Sequence, residues 1–228
     1  MHIPDGFLDV KTLAATAAMS AAAVGYGLKK ANEELGDKQV PLLGVTAAFI
    51  FAAQMLNFPV AGGTSGHFLG AFLAAVLLGP WLSCLTIAVV LFIQMLIFAD
   101  GGLLALGANV FNMGVIGGIL IYYIFMVIKS SLPKSRFGFL SAVAVSSWLS
   151  VVIASAACAL ELALSGTSPL NVALPAMAGV HILIGIGEAI ITTVVVGVVL
   201  NVRPDLVKTY DSEGISGTKT AGGVVGGQ

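Results

Sequence analysis

Nearly all the charge in this chain sits in a few short stretches, and between them run apolar segments too long to belong in water. The segments run from about Leu8 to Leu28, Pro41 to Asn57, His67 to Gly79, Trp81 to Phe98, Leu103 to Ile128, Phe137 to Leu164 and Ala176 to Asn201. About 20 apolar residues cross a bilayer as a helix, and in hydrocarbon a helix satisfies its own backbone. Of the 228 residues 58% are hydrophobic and only 9% charged, against about 25% charged in an average soluble domain. The expectation is an all-α membrane protein, a bundle of about seven transmembrane helices over residues 1–201. A polar segment, 202–228, reads as a cytoplasmic tail or a linker. The formal net charge of -1 argues against a nucleic-acid partner, which calls for a basic face.

One of the seven runs is too short. His67 to Gly79 is 13 residues before Pro80, about 20 Å of helix against a core of about 30 Å. The glycine-rich Gly62-Gly63-Thr64-Ser65-Gly66 before it is therefore expected to dip into the membrane and meet a helix that starts below the surface. Irregular backbone at that depth needs protein or a cavity to cover it.

Charge sets the orientation. Seven spans put Lys29, Lys30, Lys38, Lys129, Lys134, Arg136, Arg203, Lys208 and Lys219 on one side and only Lys11 on the other. Basic loops stay in the cytoplasm, so the C-terminus is expected inside and the N-terminus outside, with 58–67, 100–102 and 165–175 on the outer face. MHIPDGFLDV lacks a basic lead region, so no cleaved signal peptide is expected. Cys84 and Cys158 lie in apolar runs without CxxC spacing and read as small packing or lipid-facing residues.

A free amine followed at once by histidine is a chelator. The Met1 amine, the His2 amide nitrogen and His2 Nδ1 can wrap one ion in fused five- and six-membered rings, leaving one corner of a square open. Such a nitrogen set favours Ni(II) or Cu(II). His67 is the candidate for the fourth corner. The plainer readings are a solvated terminal histidine and a structural His67. The seven-span parity puts both on one face, which favours a shared site. Pro4-Asp5-Gly6 is turn chemistry that lets residues 1–3 fold back. Asp5 could hydrogen-bond a ligand imidazole, and Thr64 and Ser65 could assist through hydroxyl or backbone.

Ionisable residues inside membrane segments are costly and face the interior. His181 and Glu188, a heptad apart, are read as supporting groups or a structural pair, with direct ligation as the alternative; Glu161 and Gln94 are treated likewise. Ala14, Ala18 and Ala22 form a small-residue face suited to close helix approach, either within the chain or toward a partner.

The motifs MHIPDGF (1–7), NFPVAGGTSGHFLG (57–70), FADGGLLALGANVFNMG (98–114) and HILIGIGEAI (181–190) resemble the nickel/cobalt substrate-binding membrane component of energy-coupling factor transporters, the CbiM/NikM family. The resemblance covers about residues 1–201. It implies metal on the Met1 amine, the His2 amide and imidazole nitrogens and the His67 imidazole. It also implies a transmembrane coupling subunit, two cytoplasmic ATPase subunits and a small companion membrane subunit, to which the glycine-ending tail could be a linker. The Pro4-Asp5 form of the terminus looks more like the nickel branch than the cobalt branch.

The function expected is a plasma-membrane component that binds Ni(II), or Co(II), for ATP-driven uptake, without enzymatic activity of its own. A stand-alone secondary cation transporter is the alternative, with Glu188 and His181 as proton-relay candidates. An intramembrane metalloprotease is disfavoured because the chain has no HExxH.

Overall fold

The computed structural model describes residues 1–36 and 39–210; residues 211–228 of the expected tail lie outside the described part. It is a helical membrane bundle. In chain order come α1 (Val10–Glu34), α2 (Gln39–Gln54), the two-residue strands β1 (Phe58–Pro59) and β2 (Ser65–Gly66), and α3 (Ala71–Leu78). Then follow α4 (Pro80–Phe98), α5 (Leu106–Val110), a π-helical stretch (Phe111–Leu120) and α6 (Ile121–Ser131). The last elements are α7 (Arg136–Leu164), α8 (Leu170–Val202) and a 3₁₀ turn, Pro204–Leu206.

Residues 106–131 form one rod, so the described chain has seven helical rods where the sequence has seven apolar runs. By length and composition four of them can each cross a membrane: Pro80–Phe98, Leu106–Ser131, Arg136–Leu164 and Leu170–Val202. The chain is thus a multi-pass membrane protein.

Local chemistry sets the boundaries. Asp9 caps α1 by accepting from Thr12 N at 2.8 Å, and Ser135 caps α7 by accepting from Gly138 N at 3.1 Å, each satisfying an amide the helix leaves free. Pro80 occupies the first turn of α4, where its missing N–H costs nothing. Two expectations shift. The loop expected over 165–175 is shorter, because α8 begins at Leu170 and carries Pro175 inside it; the proline removes a single hydrogen bond close to the helix start. The π-helical stretch in the middle of the fifth rod was not foreseen.

α3 is the innermost element. All eight of its residues are buried, and eight residues make a helix about 12 Å long. Gly70 starts it in the left-handed region, φ 75°. A Cβ there would lie 2.7 Å from Ile50 Cγ1.

α1 buries Thr16, Ser20, Ala23, Gly27 and Ala31 against the bundle. Ser20 donates to the Gly107 carbonyl at 2.7 Å. Ala14, Ala18 and Ala22 face outward and are exposed, so they are not an internal packing face.

Contacts divide the loops between two ends. At one end the Thr167 hydroxyl donates to the Phe7 carbonyl, Ser168 to Gly62 O at 3.0 Å, and Asn57 Nδ2 to Asp100 Oδ2 at 2.7 Å. At the other end Lys208 pairs with Glu34, Lys129 donates to Thr209 O at 2.6 Å, and Thr209 donates to Val76 O at 3.2 Å. The loose tail expected from 202 is therefore packed onto the bundle as far as Tyr210, whose ring meets Phe139 edge-on at 5.0 Å.

Candidate metal site

The N-terminal segment is tied down at the first of these ends. Asn109 on α5 grips Ile3 twice, accepting from its N–H at 2.8 Å and donating to its carbonyl at 3.1 Å. Gly102 N donates to the Ile3 carbonyl at 2.9 Å. The next turn is fixed by Asp5, whose carboxylate accepts from Leu103 N, Leu104 N and Ala105 N at 3.0, 2.8 and 3.1 Å. Gly102 admits this packing, since a Cβ there would sit 2.0 Å from Asp5 Oδ1. Asp5 thus clamps backbone and meets no imidazole, contrary to the expectation that it would orient a ligand ring.

Beyond Ile3 the chain end enters the bundle, with Met1 fully buried and His2 3% exposed. The β1–β2 hairpin, in register Phe58 to Gly66 and Pro59 to Ser65, presents Ser65 to it. The Met1 amine donates to Ser65 O at 2.6 Å and to its hydroxyl at 2.9 Å. The His2 amide donates to the same hydroxyl at 3.0 Å. Two of the expected nitrogens therefore converge on one atom.

The third member, the His2 ring, lies 4.4 Å from the His67 ring, centroid to centroid, tilted by 32°. Its Nε2 is 3.1 Å from Gln94 Oε1 and its Nδ1 is 3.4 Å from Asp100 Oδ1. His67 is 1% exposed. Its Nδ1 meets the Phe68 carbonyl at 2.7 Å, and its Nε2 has no hydrogen-bond partner. Met1, His2, His67 and Ser65 are thus brought together. A vestibule of about 480 Å³ reaches His2 and Ser65, bordered by Pro4, Asn57, Thr64, Asp100 and Gly101.

Burial governs the electrostatics. Desolvation lowers the Met1 amine from its usual 8.0 to about 5, partly offset by Cys158 and Asp100. Desolvation, and secondly the neighbouring amine, lower His2 to about 3, with the Gln94 contact opposing. Both nitrogens are neutral near pH 7 and offer lone pairs. Asp100 is raised, first by burial, with the amine and Asn57 pulling it back.

The remaining candidates fall around this cluster. Thr64 faces sulfur: its amide donates to Met177 Sδ at 3.4 Å and its hydroxyl lies 3.7 Å from Cys158 Sγ. Cys84 and Cys158 are both buried, as packing residues. His181 holds the Met177 carbonyl through Nδ1 at 2.7 Å and leaves Nε2 unpartnered. Glu188 accepts from Leu69 N at 2.6 Å and Gly70 N at 2.8 Å, so it caps α3 and holds the His67 loop, and does not pair with His181. Glu161 accepts from Asn112 at 2.7 Å. Gln94, read from the sequence as a supporting or structural group, lies beside the His2 ring; the places of Asp100 and Asn109 beside the N-terminus went unseen. In the sequence Asn109 stands out only as a polar residue within an apolar run.

A membrane bundle that folds its own N-terminus inward, bringing an amine, an amide and two imidazoles together, defines a class of membrane proteins with a nitrogen-rich interior cluster. The chain belongs to the family described as the cobalt uptake substrate-specific transmembrane region, whose model matches residues 2–206.

It is 41% identical over 216 residues to a putative fused nickel transport protein of Archaeoglobus fulgidus, covering 94% of this chain and 70% of that one. It is 33% identical to a cobalt transport protein of Pelobacter propionicus, covering 94% and 97%. A crystal structure of a truncated transition metal transporter superposes with a TM-score of 0.81 at 38% identity, covering 88% of this chain and 99% of that one. Both relatives are named as transport proteins.

Proposed function

We propose that this chain is the substrate-binding component for ATP-driven uptake of nickel, with cobalt as a second substrate, across the plasma membrane. The observation that carries the reading is the convergence of the Met1 amine and His2 amide on Ser65, beside the His67 ring. In the bound state the amine, the amide nitrogen and His2 Nδ1 hold three corners of a plane, and His67 Nε2, which has no other partner, fills the fourth. A planar nitrogen set suits Ni(II). The ion takes over the amine and amide from the Ser65 hydroxyl, and the amide gives up its proton.

Names of relatives support the choice of cargo: the 41% identical one is called a nickel transporter, the 33% identical one a cobalt transporter. The fused form of the Archaeoglobus relative supports a small companion membrane subunit. The chain has no GxxxxGK[ST] loop, which supports ATPase partners and a transmembrane coupling subunit; the outward Ala14, Ala18, Ala22 face is its docking surface. Against a stand-alone proton-coupled carrier, Glu188 is already committed to two backbone amides.

The test uses protein with its native first residue. One residue added before Met1, or acetylation of the amine, abolishes nickel binding, as does His2→Ala; His67→Ala removes most of it. An extended protein that binds nickel with unchanged stoichiometry and affinity overturns the reading. Uptake that survives loss of the ATPase subunits but collapses with the proton gradient favours the secondary carrier.

A further inference from the structure

Three imidazoles lie near the chain's amino end, and each is held at one ring nitrogen by a group that can only accept a hydrogen bond. His67 and His181 point Nδ1 at the carbonyls of Phe68 and Met177, 2.7 Å in both cases. Their protons therefore sit on Nδ1, and Nε2 is left as a buried, unpartnered lone pair.

His2 is held the other way round. Its Nε2 lies 3.1 Å from Gln94 Oε1, a carbonyl oxygen that accepts and cannot donate. The proton of a neutral ring then belongs on Nε2. Nδ1 keeps its lone pair, is buried, and lacks a hydrogen-bond partner. Nδ1 is the nitrogen that must close the six-membered ring of the chelate, because Nε2 is too far from the backbone to do so.

A competitor stands on the opposite side. Asp100 Oδ1 is 3.4 Å from His2 Nδ1, and a carboxylate there favours a proton on Nδ1, which would mask the metal-binding nitrogen. Gln94 is closer and fully buried, whereas the Asp100 side chain is 18% exposed and its other oxygen is engaged by Asn57.

Resting on the nickel reading above, we propose that Gln94 is a positioning residue for capture of a divalent transition metal: it accepts the Nε2–H of His2 and so keeps the proton off Nδ1. Gln94 does not touch the ion. It decides which tautomer meets it, in the way outer partners of a metal-ligating histidine fix the ring. Removing it hands the imidazole to Asp100, and one proton moves from Nε2 to Nδ1 with no change in net charge.

The experiment uses full-length, metal-free protein in lipid nanodiscs with its native N-terminus and ring-¹⁵N histidine. With three histidines in the chain, single substitutions assign every ring signal. In the wild type His2 shows the Nε2–H tautomer. In Gln94→Leu it shifts to Nδ1–H, and nickel affinity falls about 10–100-fold with thermal stability little changed. Gln94→Glu, which still accepts from Nε2, restores the wild-type tautomer and most of the affinity.

Asp100→Asn provides an arm that does not depend on Gln94→Leu folding: the His2 proton stays on Nε2. A wild-type His2 protonated at Nδ1, a Gln94→Leu protein with unchanged tautomer and affinity, or an Asp100→Asn protein whose His2 proton changes place overturns the proposal. The ¹⁵N readout needs no metal, so failure of nickel to bind at the N-terminus sinks the functional reading and is seen separately from failure of the Gln94 role.

Discussion

The Met1 amine is where residue-scale chemistry is most exposed to measurement. Its pKa falls to about 5 in the folded protein from about 8 when solvated. Between these values the unfolded chain binds more protons than the native one, so the amine's contribution makes stability rise as pH goes from about 5 to 8. For nickel binding the same shift means that the amine has no proton to lose above about pH 6. Affinity should then climb about tenfold per pH unit from 6 to 8, from release of the amide proton alone, and about a hundredfold per unit just below pH 5, where the amine proton must also leave. His2, at about 3, adds nothing in either range. Calorimetric titrations across pH 4–8 check this; a slope that is already two protons at pH 7 contradicts it. A second prediction at this scale concerns Asn109. Asn109→Leu leaves the buried Ile3 N–H without its partner while the carbonyl keeps Gly102 N, a cost of about 1–3 kcal/mol. Hydrogen exchange at Ile3 should speed up markedly and nickel affinity should fall, while helix content holds.

At the scale of elements, the short α3 and the segment before it act as one device. Gln54 donates to the Leu69 carbonyl at 2.7 Å and Glu188 takes the amides of Leu69 and Gly70, so two helices grip the backbone just after His67. A carboxylate at a helix N-terminus is well placed for the helix dipole. Glu188→Ala leaves two buried donors unpaired and should cost about 3 kcal/mol or more, read as a lower thermal midpoint, with exchange at Leu69 and Gly70 rising first. The contact of α1 with α5 depends on a missing side chain: a Cβ on Gly107 would lie 2.6 Å from Ala17 Cα. Gly107→Val should push α1 off the rod and weaken the hold of the adjacent Asn109 on Ile3. Nickel binding in that variant should suffer more than in Gly25→Val, since Gly25 has open space around its Cβ position.

For the whole molecule, the described loops gather at two ends, one carrying the N-terminal cluster and the other Lys129 and Lys208. The expectation that the cluster faces outward rests on the positive-inside rule, and labelling tests it. Because Cys84 and Cys158 are buried, single cysteines introduced on the surface report cleanly. In intact cells Asn171→Cys should react with a membrane-impermeant maleimide and Lys134→Cys should not. The reverse pattern would place the vestibule on the cytoplasmic side and end the uptake reading.

By itself the sequence determined that this is a multi-pass helical membrane protein, because long apolar runs satisfy their backbone in lipid as helices. The short covalent stretch of residues 1 and 2 is also what suggested a shared metal site, and the short run before Pro80 led to the expectation of a helix that starts below the surface. What tertiary structure decided was who stands beside whom. Asp5 is drawn to three backbone amides rather than an imidazole, Glu188 to the start of α3 rather than to His181, and Gln94 and Asn109 to the N-terminal segment. A buried polar group takes whichever partner the packing brings within about 3 Å, and spacing along the chain says nothing about distances across it. The π-helical stretch and the early start of α8 at Leu170 belong to the same category, since both depend on neighbours packed around the helix rather than on the residues within it.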